Sequence, residues 1–417
     1  NGYRVVNLGI KQPIAHIIEA AKENNADAVG MSGLLVKSTV IMRENLTEMT
    51  REGLDVPVLL GGAALTRRYV EEDCSESYGS GHVAYAKDAF DGLGMMKHIN
   101  EGTFADHVKS ANEERAAKPK SSKRLGAPSE ESIMRPVDFD EIRTRRDELA
   151  RDVSVPNPPF WGAKVIEKVE LEALVPFLNE TMLYQFHWGF RKAGRDRDQF
   201  RSWAEENCRP IMQNMVKTCI DENILHPQAA YGYWKAAAEG NDIVLFNEDG
   251  TTEATRFSLP RQSRENGLCI SDFLRDVDSG ERDVLGLQVV TVGQHASEVA
   301  REWFDNDRYQ DYLYLHGLGV EMAEAMAEYV HKRIRGELGF SHIDDRNMVS
   351  MLKQGYQGSR YSFGYPACPN IADQHALLDL LGADRVGIVM GDEDQLHPEQ
   401  STSAIVLHHP QAKYFSV

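Results

Sequence analysis

One run near the C-terminal end carries the chain's most distinctive side-chain chemistry: Tyr356-Gln357-Gly358-Ser359-Arg360-Tyr361-Ser362-Phe363-Gly364-Tyr365-Pro366-Ala367-Cys368-Pro369-Asn370. Arg360 offers a planar fork of N–H donors that matches a carboxylate. Tyr361, Phe363 and Tyr365 offer flat apolar faces. Together they suit a ligand with an amino-acid head group and a flat ring. Pro366 and Pro369 each fix φ and remove a backbone donor, so the run is neither helix interior nor central strand. Gly358 and Gly364 permit close backbone approach to a ligand. The same residues also fit a rigid surface turn whose arginine meets an internal Asp or Glu.

Such a loop needs a scaffold, and residues 161–417 supply one. Leu171–Phe177, Thr181–Phe190 and Gln199–Asn223 read as helices, the last with Trp203, Cys208, Ile211, Met215 and Ile220 roughly on one face. Asp242–Phe246 and Ala254–Leu259 flank an Asn247-Glu248-Asp249-Gly250 turn and read as a hairpin. Val284–Val292 is a long apolar strand, and Val386–Met390 and Ala404–His408 read as further strands. Tyr309–Leu338 is the longest helix, with Leu313, Leu315, Met322, Ala325, Met326 and Tyr329 available for a buried side. The pattern predicts an α+β domain with a mixed or antiparallel sheet. No GxGxxG follows a strand, so a second dinucleotide fold is not expected.

Residues 1–100 alternate strands with helices, which implies an α/β fold with a parallel sheet. Tyr3–Leu8, Ala28–Ser32, Val56–Gly61 and His82–Ala84 read as strands. Pro13 opens a helix with Ile14, Ile17, Ile18 and Ala21 on one face, and further helices follow Ser38, Thr66 and Asp88. Ligands of such sheets sit at the carboxyl ends of the strands, here Ser32-Gly33-Leu34, Gly61-Gly62-Ala63 and Tyr85-Ala86. Tight helix–sheet packing would equally favour the glycines. Residues 101–160 read as a linker. Glu113–Glu131 is rich in Lys, Glu, Ser, Ala and Pro, cannot bury a core and should run extended.

Composition narrows the function classes. The 417-residue chain has a net charge of −18, so nucleic acid and anionic membranes are not default partners. Its five cysteines include no CxxC pair, which argues for a reducing compartment and against a disulfide framework or structural zinc. No apolar stretch is long enough to span a bilayer, and the chain reads as cytoplasmic. His397 and the His408-His409 pair lack carboxylate or cysteine partners at ligand spacing, so no metal site is predicted. The start at Asn1-Gly2-Tyr3, without Met, suggests a piece of something longer.

The motif Arg-x-x-x-Gly-Tyr-Pro-Ala-Cys-Pro, spanning Arg360 to Pro369, closely resembles the S-adenosylmethionine-binding signature in the activation domain of cobalamin-dependent methionine synthases. Val29-Gly30-Met31-Ser32-Gly33-Leu34 and Leu60-Gly61-Gly62-Ala63 resemble the cobalamin-binding domain of the same family. The resemblance implies a flavodoxin-like (Rossmann-like) sheet in strand order 2-1-3-4-5. The four strands read here would be its second to fifth, with the interior first strand upstream of Asn1. The family's Asp-x-His-x-x-Gly loop, whose histidine ligates cobalt, is matched by none of the 14 histidines and would also lie upstream. The tail of cobalamin is then expected at Ser32, Val36, Gly61, Gly62 and Ala89. Val36 replaces a hydroxyl residue found in some relatives, with Ser38 nearby as a substitute. For S-adenosylmethionine the resemblance implies Arg360 at the carboxylate, with Tyr365, Tyr414, Phe415 and Glu324 around it. An acidic family contact falls on Asn179 or Glu180.

Function follows from the resemblance as an expectation. The family is a methyltransferase moving a methyl group from 5-methyltetrahydrofolate to homocysteine. This C-terminal part would serve reductive methylation of oxidised cobalamin by S-adenosylmethionine, with flavodoxin or a flavoprotein reductase as electron donor. Homocysteine, folate and cap modules, and the zinc of the first, would belong to upstream parts, so this piece alone would not turn over. The alternative is a non-catalytic corrinoid carrier with an S-adenosylmethionine-sensing domain. A signalling domain of flavodoxin type would need a phosphoacceptor aspartate, whereas the strand ends read Ser32, Gly61 and Tyr85.

Overall fold

The structure, a computed structural model, describes residues 2–9, 12–33, 36–62, 65–79, 82–87, 89–116, 139–150, 152–262, 267–391 and 394–415. It forms two compact units, one of residues 1–131 with the short loop Gly364–Pro369, the other of most residues from 132 onward.

The first unit is a parallel sheet with helices. Helix α1 (Ile14–Glu23) precedes strand β1 (Val29–Ser32), α2 (Val36–Arg51), β2 (Val58–Gly61), the single turn α3 (Arg67–Tyr69), β3 (Val83–Ala86) and α4 (Ala89–Asn100). The strands pair in the order β1-β2-β3, all parallel. Val58 and Leu60, fully buried, meet Ile18, Leu46, Met49 and Val70 in the core. Pro13 sits at the N-cap of α1, and Ile18 and Ala21 form its buried face as the periodicity predicts. Thr66 caps α3 by accepting the Tyr69 N–H.

Tyr3–Leu8 departs from expectation. It forms no strand, and Val5 stays 79% exposed. No described strand lies beside it, and an extended segment without a ladder partner is not a stable strand. The sheet therefore has three strands here, not four.

The expected extended linker is helical at both of its described ends. Helix α5 (Phe104–Ala116) buries Phe104 and Val108 against Met95 of α4. Helix α6 (Phe139–Glu148) buries Arg146, whose guanidinium bonds Asp276 and donates to the Gly240 carbonyl (2.6 Å). Residues 117–138, including the basic run after Ala117, lie outside the described residues.

The second unit is built on a seven-stranded sheet, antiparallel throughout. Strand β4 (Gly162–Ile166) leads through helices α7 (Arg197–Asn207) and α8 (Arg209–Asp221) to β5 (Gln228–Glu239), β6 (Asp242–Phe246), β7 (Glu253–Ser258) and β8 (Asp283–Thr291). Helix α9 (His295–Asp305) and α10 (Tyr309–Glu337) follow, then β9 (Ser359–Ser362), α11 (Gln374–Leu381), the small hairpin β10 (Val389–Met390) and β11 (Leu396–His397), and β12 (Ser401–Leu407). The order is β7-β6-β5-β8-β12-β9, with β4 also on β5. Strand β8 is buried along its whole length. Helix α10 presses Leu318, Met322, Met326, Val330 and Ile334, all fully buried, into the core, at the four-residue spacing of one helix face.

Three local outcomes differ from the sequence reading. Gln199–Asn223 is two helices broken at Cys208, because Pro210 opens α8 and cannot continue α7. Its single predicted face splits accordingly, leaving Ile220 41% exposed. Strand β5 was not foreseen. Its Ala229, Ala230, Ala236, Ala237 and Ala238 have low strand propensity, and burial on both faces erases alternation. The expected strand Val386–Met390 shrinks to β10, preceded by a 3-10 turn over Ala383–Val386.

Candidate ligand site

Strand β9 positions the arginine. It is an edge strand, paired to β12 alone, with Arg360 opposite Val406 and Tyr361 opposite Ile405. Alternation sends Ser359 and Tyr361 into the buried face and Arg360 the other way. Gly358 just before it has φ +82°, and a Cβ there would lie 2.2 Å from the Leu407 carbonyl oxygen. Its close approach is thus to the protein's own strand, not to a ligand.

Arg360 reaches α10. Its Nη2 donates to Glu324 Oε2 at 3.1 Å and to Glu328 Oε1 at 3.0 Å. The two carboxylates sit one helical turn apart on α10, which is why a single nitrogen meets both. Burial by itself would lower the guanidinium's pKa, but the charges of Glu324 and Glu328 reverse this and leave it raised. Among the described residues, Arg360 Nη1 and Glu328 Oε2 are buried and accept or donate no hydrogen bond. One turn further along α10, both ring nitrogens of His331 are likewise buried and unpartnered. Desolvation, then the charges of Arg335 and Arg360, hold this histidine well below its usual pKa, so it is neutral.

Of the three aromatic faces expected in this run, only one is open. Tyr361 is 1% exposed, donates its hydroxyl to the Lys413 carbonyl (2.9 Å), and meets the rings of Tyr414 and Phe415 at 6.4 and 5.8 Å. Phe363 is buried edge-on against Phe257. Tyr365 is 54% exposed in a turn closed by the Gly364 N–H to the Cys368 carbonyl and the Cys368 N–H to the Tyr365 carbonyl, both 2.9 Å. The Lys413-Tyr414-Phe415 run is fixed beside β9. Lys413 Nζ donates to the Tyr356 carbonyl at 2.6 Å, and the Tyr414 N–H to Gln354 Oε1 at 2.9 Å.

The Asn179–Glu180 pair resolves into two different situations. Glu180 is engaged by Arg209 Nη2, at 2.9 and 3.0 Å to its two oxygens. Asn179 is exposed and caps the next turn by accepting the Met182 N–H at 3.3 Å. The surrounding segment runs along α10: Phe177 stands edge-on to Tyr329 (5.9 Å), and His187 bonds Glu321 (3.1 Å). The residues flanking Asn179 thus meet α10 at Glu321 and Tyr329, on either side of Glu324 and Glu328.

Sequence reasoning missed Glu328 as the second partner of Arg360, and His331 beneath it. The signal was available: Glu324, Glu328, His331 and Arg335 recur at three- and four-residue spacing on one face of a helix.

In the first unit the carboxyl ends of the strands align, since Ser32 pairs with Gly61 and Gly61 with Ala86. Ser32 is exposed, so this row of small residues leaves room over the strand ends. Gly62 answers to packing: at φ +111° a Cβ would fall 2.1 Å from the Gly33 carbonyl oxygen. A Cβ on Gly61 would lie 2.8 Å from the Ala86 carbonyl oxygen. The side chains of Val36, Ser38 and Ala89 lie outside the described ones.

The histidines considered for metal lie apart in role. His408 is buried beside Asp283 (3.5 Å), His409 bonds the Ala150 carbonyl (3.0 Å), and His397 is exposed on β11. No cluster of three or more metal-ligating side chains occurs among the described residues. No described helix is long and apolar enough to cross a membrane.

Residues 170–417 match the family described as vitamin B12 dependent methionine synthase, activation domain, and residues 1–93 match the B12 binding domain. The chain is 44% identical to the methionine synthase of Mycobacterium tuberculosis, with 100% of this chain and 37% of that protein covered. It is also 44% identical to that of Mycobacterium leprae, covering 36% of it. The chain thus spans little more than a third of the length of these relatives. A crystal structure of the MetH reactivation domain bound to AdoHcy superimposes with a TM-score of 0.59 at 22% identity, over 67% of this chain and 89% of that one. That likeness is one of fold.

Proposed function

The chain belongs to the family of the vitamin B12 dependent methionine synthase activation domain, and on that premise we propose that its second unit binds S-adenosylmethionine and its first unit binds cobalamin. Together they serve as the C-terminal region of a methionine synthase. The observation that carries this reading is Arg360: its side chain only 13% exposed, held by Glu324 and Glu328, with Nη1 buried and still unpartnered. A desolvated guanidinium with a free N–H pair is preorganised for a carboxylate. Glu324 lies beside it for the amino group of the same head group. Asn179, Tyr414 and Phe415 supply the remaining contacts, and of the earlier pair Asn179 is favoured because Glu180 already serves Arg209.

For cobalamin, the aligned row of Ser32, Gly61 and Ala86 fits a tail lying across the strand ends. Ser32, Val36, Gly61, Gly62 and Ala89 would hold it, although Gly61 and Gly62 also have packing reasons of their own. When bound, cobalamin supplies the metal centre that accepts the sulfonium methyl group. This chain's contribution is to bind and orient the methyl donor by its carboxylate and amino groups, so that positioning carries the catalysis. The whole protein would be a methyltransferase acting on 5-methyltetrahydrofolate and homocysteine, with flavodoxin or a flavoprotein reductase supplying the electron for reactivation.

Arg360→Ala tests the reading. Calorimetric titration with S-adenosylmethionine should show a loss of roughly 2–5 kcal/mol, because the variant leaves the ligand carboxylate without its buried partner. Unchanged affinity with an unchanged circular-dichroism spectrum would refute the assignment.

A further inference from the structure

We propose that Glu328 is a positioning residue that holds the Arg360 fork in place for a ligand carboxylate, whereas Glu324 is the exchangeable partner that leaves Arg360 for the ligand's ammonium group. The inference rests on the reading of Arg360 as the carboxylate site and assigns different parts to the two glutamates that share it.

The two carboxylates make nearly equal hydrogen bonds to Nη2, at 3.1 Å from Glu324 and 3.0 Å from Glu328, yet their surroundings differ. The Glu324 side chain is 41% exposed, the Glu328 side chain 13%. Nη2 carries two N–H groups, and both are occupied. A ligand carboxylate accepting from Nη1 and Nη2 in parallel needs one of them back. The exposed glutamate yields at small cost, since water takes over its solvation. The buried one cannot, because a carboxylate stripped of its counter-charge in a desolvated setting is strongly disfavoured. Its second oxygen finds no substitute nearby: Glu328 Oε2 is 3.9 Å from His331 Nδ1, and that imidazole is buried and neutral.

Head-group chemistry agrees with this division. An α-amino acid presents its carboxylate and ammonium on one carbon. A carboxylate docked on Arg360 therefore brings the ammonium to the glutamate just released. Glu328 stays behind, and its anchoring of Nη2 leaves the unpartnered Nη1 as the prong that greets the ligand.

The test is calorimetric titration of the 417-residue chain with S-adenosylhomocysteine and with its desamino analogue, in which hydrogen replaces the α-amino group. Glu324→Gln should weaken S-adenosylhomocysteine by roughly 10-fold or more and leave the desamino analogue within about twofold of the unsubstituted chain. Glu328→Gln should weaken both ligands by a similar factor, roughly 10- to 100-fold, because the fork itself is displaced. In an Arg360→Lys background, Glu328→Gln should add less than about twofold, as expected of a residue acting through Arg360. Should Glu328→Gln fold poorly, Glu328→Asp keeps the charge on a shorter arm and should show a smaller loss, again equal for both ligands. Unaltered binding of both ligands by the Glu328 variants would overturn the proposal, as would a loss confined to the amino ligand or one additive with Arg360→Lys. Failure of the underlying reading looks different: Arg360→Ala then leaves affinity intact, or the unsubstituted chain binds neither ligand.

Discussion

At Arg360, burial and charge pull in opposite directions, and the charges of two glutamates decide the outcome. Just beyond the motif, Asp373 shows the reverse balance. Its Oδ1 accepts from Asn370 Nδ2 at 2.7 Å, but Oδ2 is buried without a partner, and burial pushes the carboxyl up to about 6. A carboxyl raised in the folded state binds more protons folded than unfolded between its ordinary value near 3.8 and about 6, so stability falls as pH rises through that window. Asp373→Asn should therefore raise stability at pH 7, by about 1 kcal/mol after discounting for partial solvent screening, and flatten the profile between pH 4 and 6. Denaturant melts at a series of pH values give the answer; a variant no more stable at pH 7 would contradict it.

Among the elements, α10 organises the site. It carries Glu324 and Glu328 on one side, and at Gly317 it allows the turn over Leu183–His187 to come close. A Cβ on Gly317 would stand 2.8 Å from His187 Cβ and 3.0 Å from Trp188 Cδ1. Gly317→Ala sets a helix-propensity gain of about 1 kcal/mol against overpacking of roughly 1–3 kcal/mol. The near neighbour is a Cβ, fixed to the backbone, so overpacking should win and lower the thermal midpoint. Asn179 caps the turn directly before this segment, so S-adenosylmethionine affinity should fall as well. A more stable variant would mean that the contact relaxes freely.

On the scale of the molecule, the second unit begins earlier than the stretch that matches the activation-domain family, which starts at residue 170. Arg146 of α6 is buried between Asp272 and Asp276, the Ala150 N–H donates to Gln411 Oε1 (2.7 Å), and Arg275 donates to the Val153 carbonyl (2.7 Å). A chain of residues 139–417 should thus be more stable than one of residues 161–417. Removing one member of a buried ion pair costs roughly 3–5 kcal/mol, and Arg261, which also serves Asp272, should reduce that here. Equal thermal midpoints for the two chains would show that α6 merely rests on the sheet.

Local chemistry and periodicity were readable without coordinates. The helical spacing of Leu315, Met322, Ala325 and Met326 specifies a buried face of α10, Pro13 and Thr66 mark helix starts, and Pro366 and Pro369 keep the Arg360 run out of a central strand. Each of these depends on residues close in the chain. What depended on distant partners was not readable. Tyr3–Leu8 has strand composition but no strand partner among the described residues, and the alanines of β5 become a central strand only because β4, β6 and β8 pair with it. Tyr361 looks like an open aromatic face in sequence, yet Tyr414 and Phe415 cover it. Likewise, the motif announces a cation at Arg360, while its pairing with Glu324 and Glu328 arises only where β9 packs beside α10. Sequence settles which groups are present and how they repeat; tertiary packing settles which are desolvated and against what, and desolvation is what turns a common ion pair into a binding site.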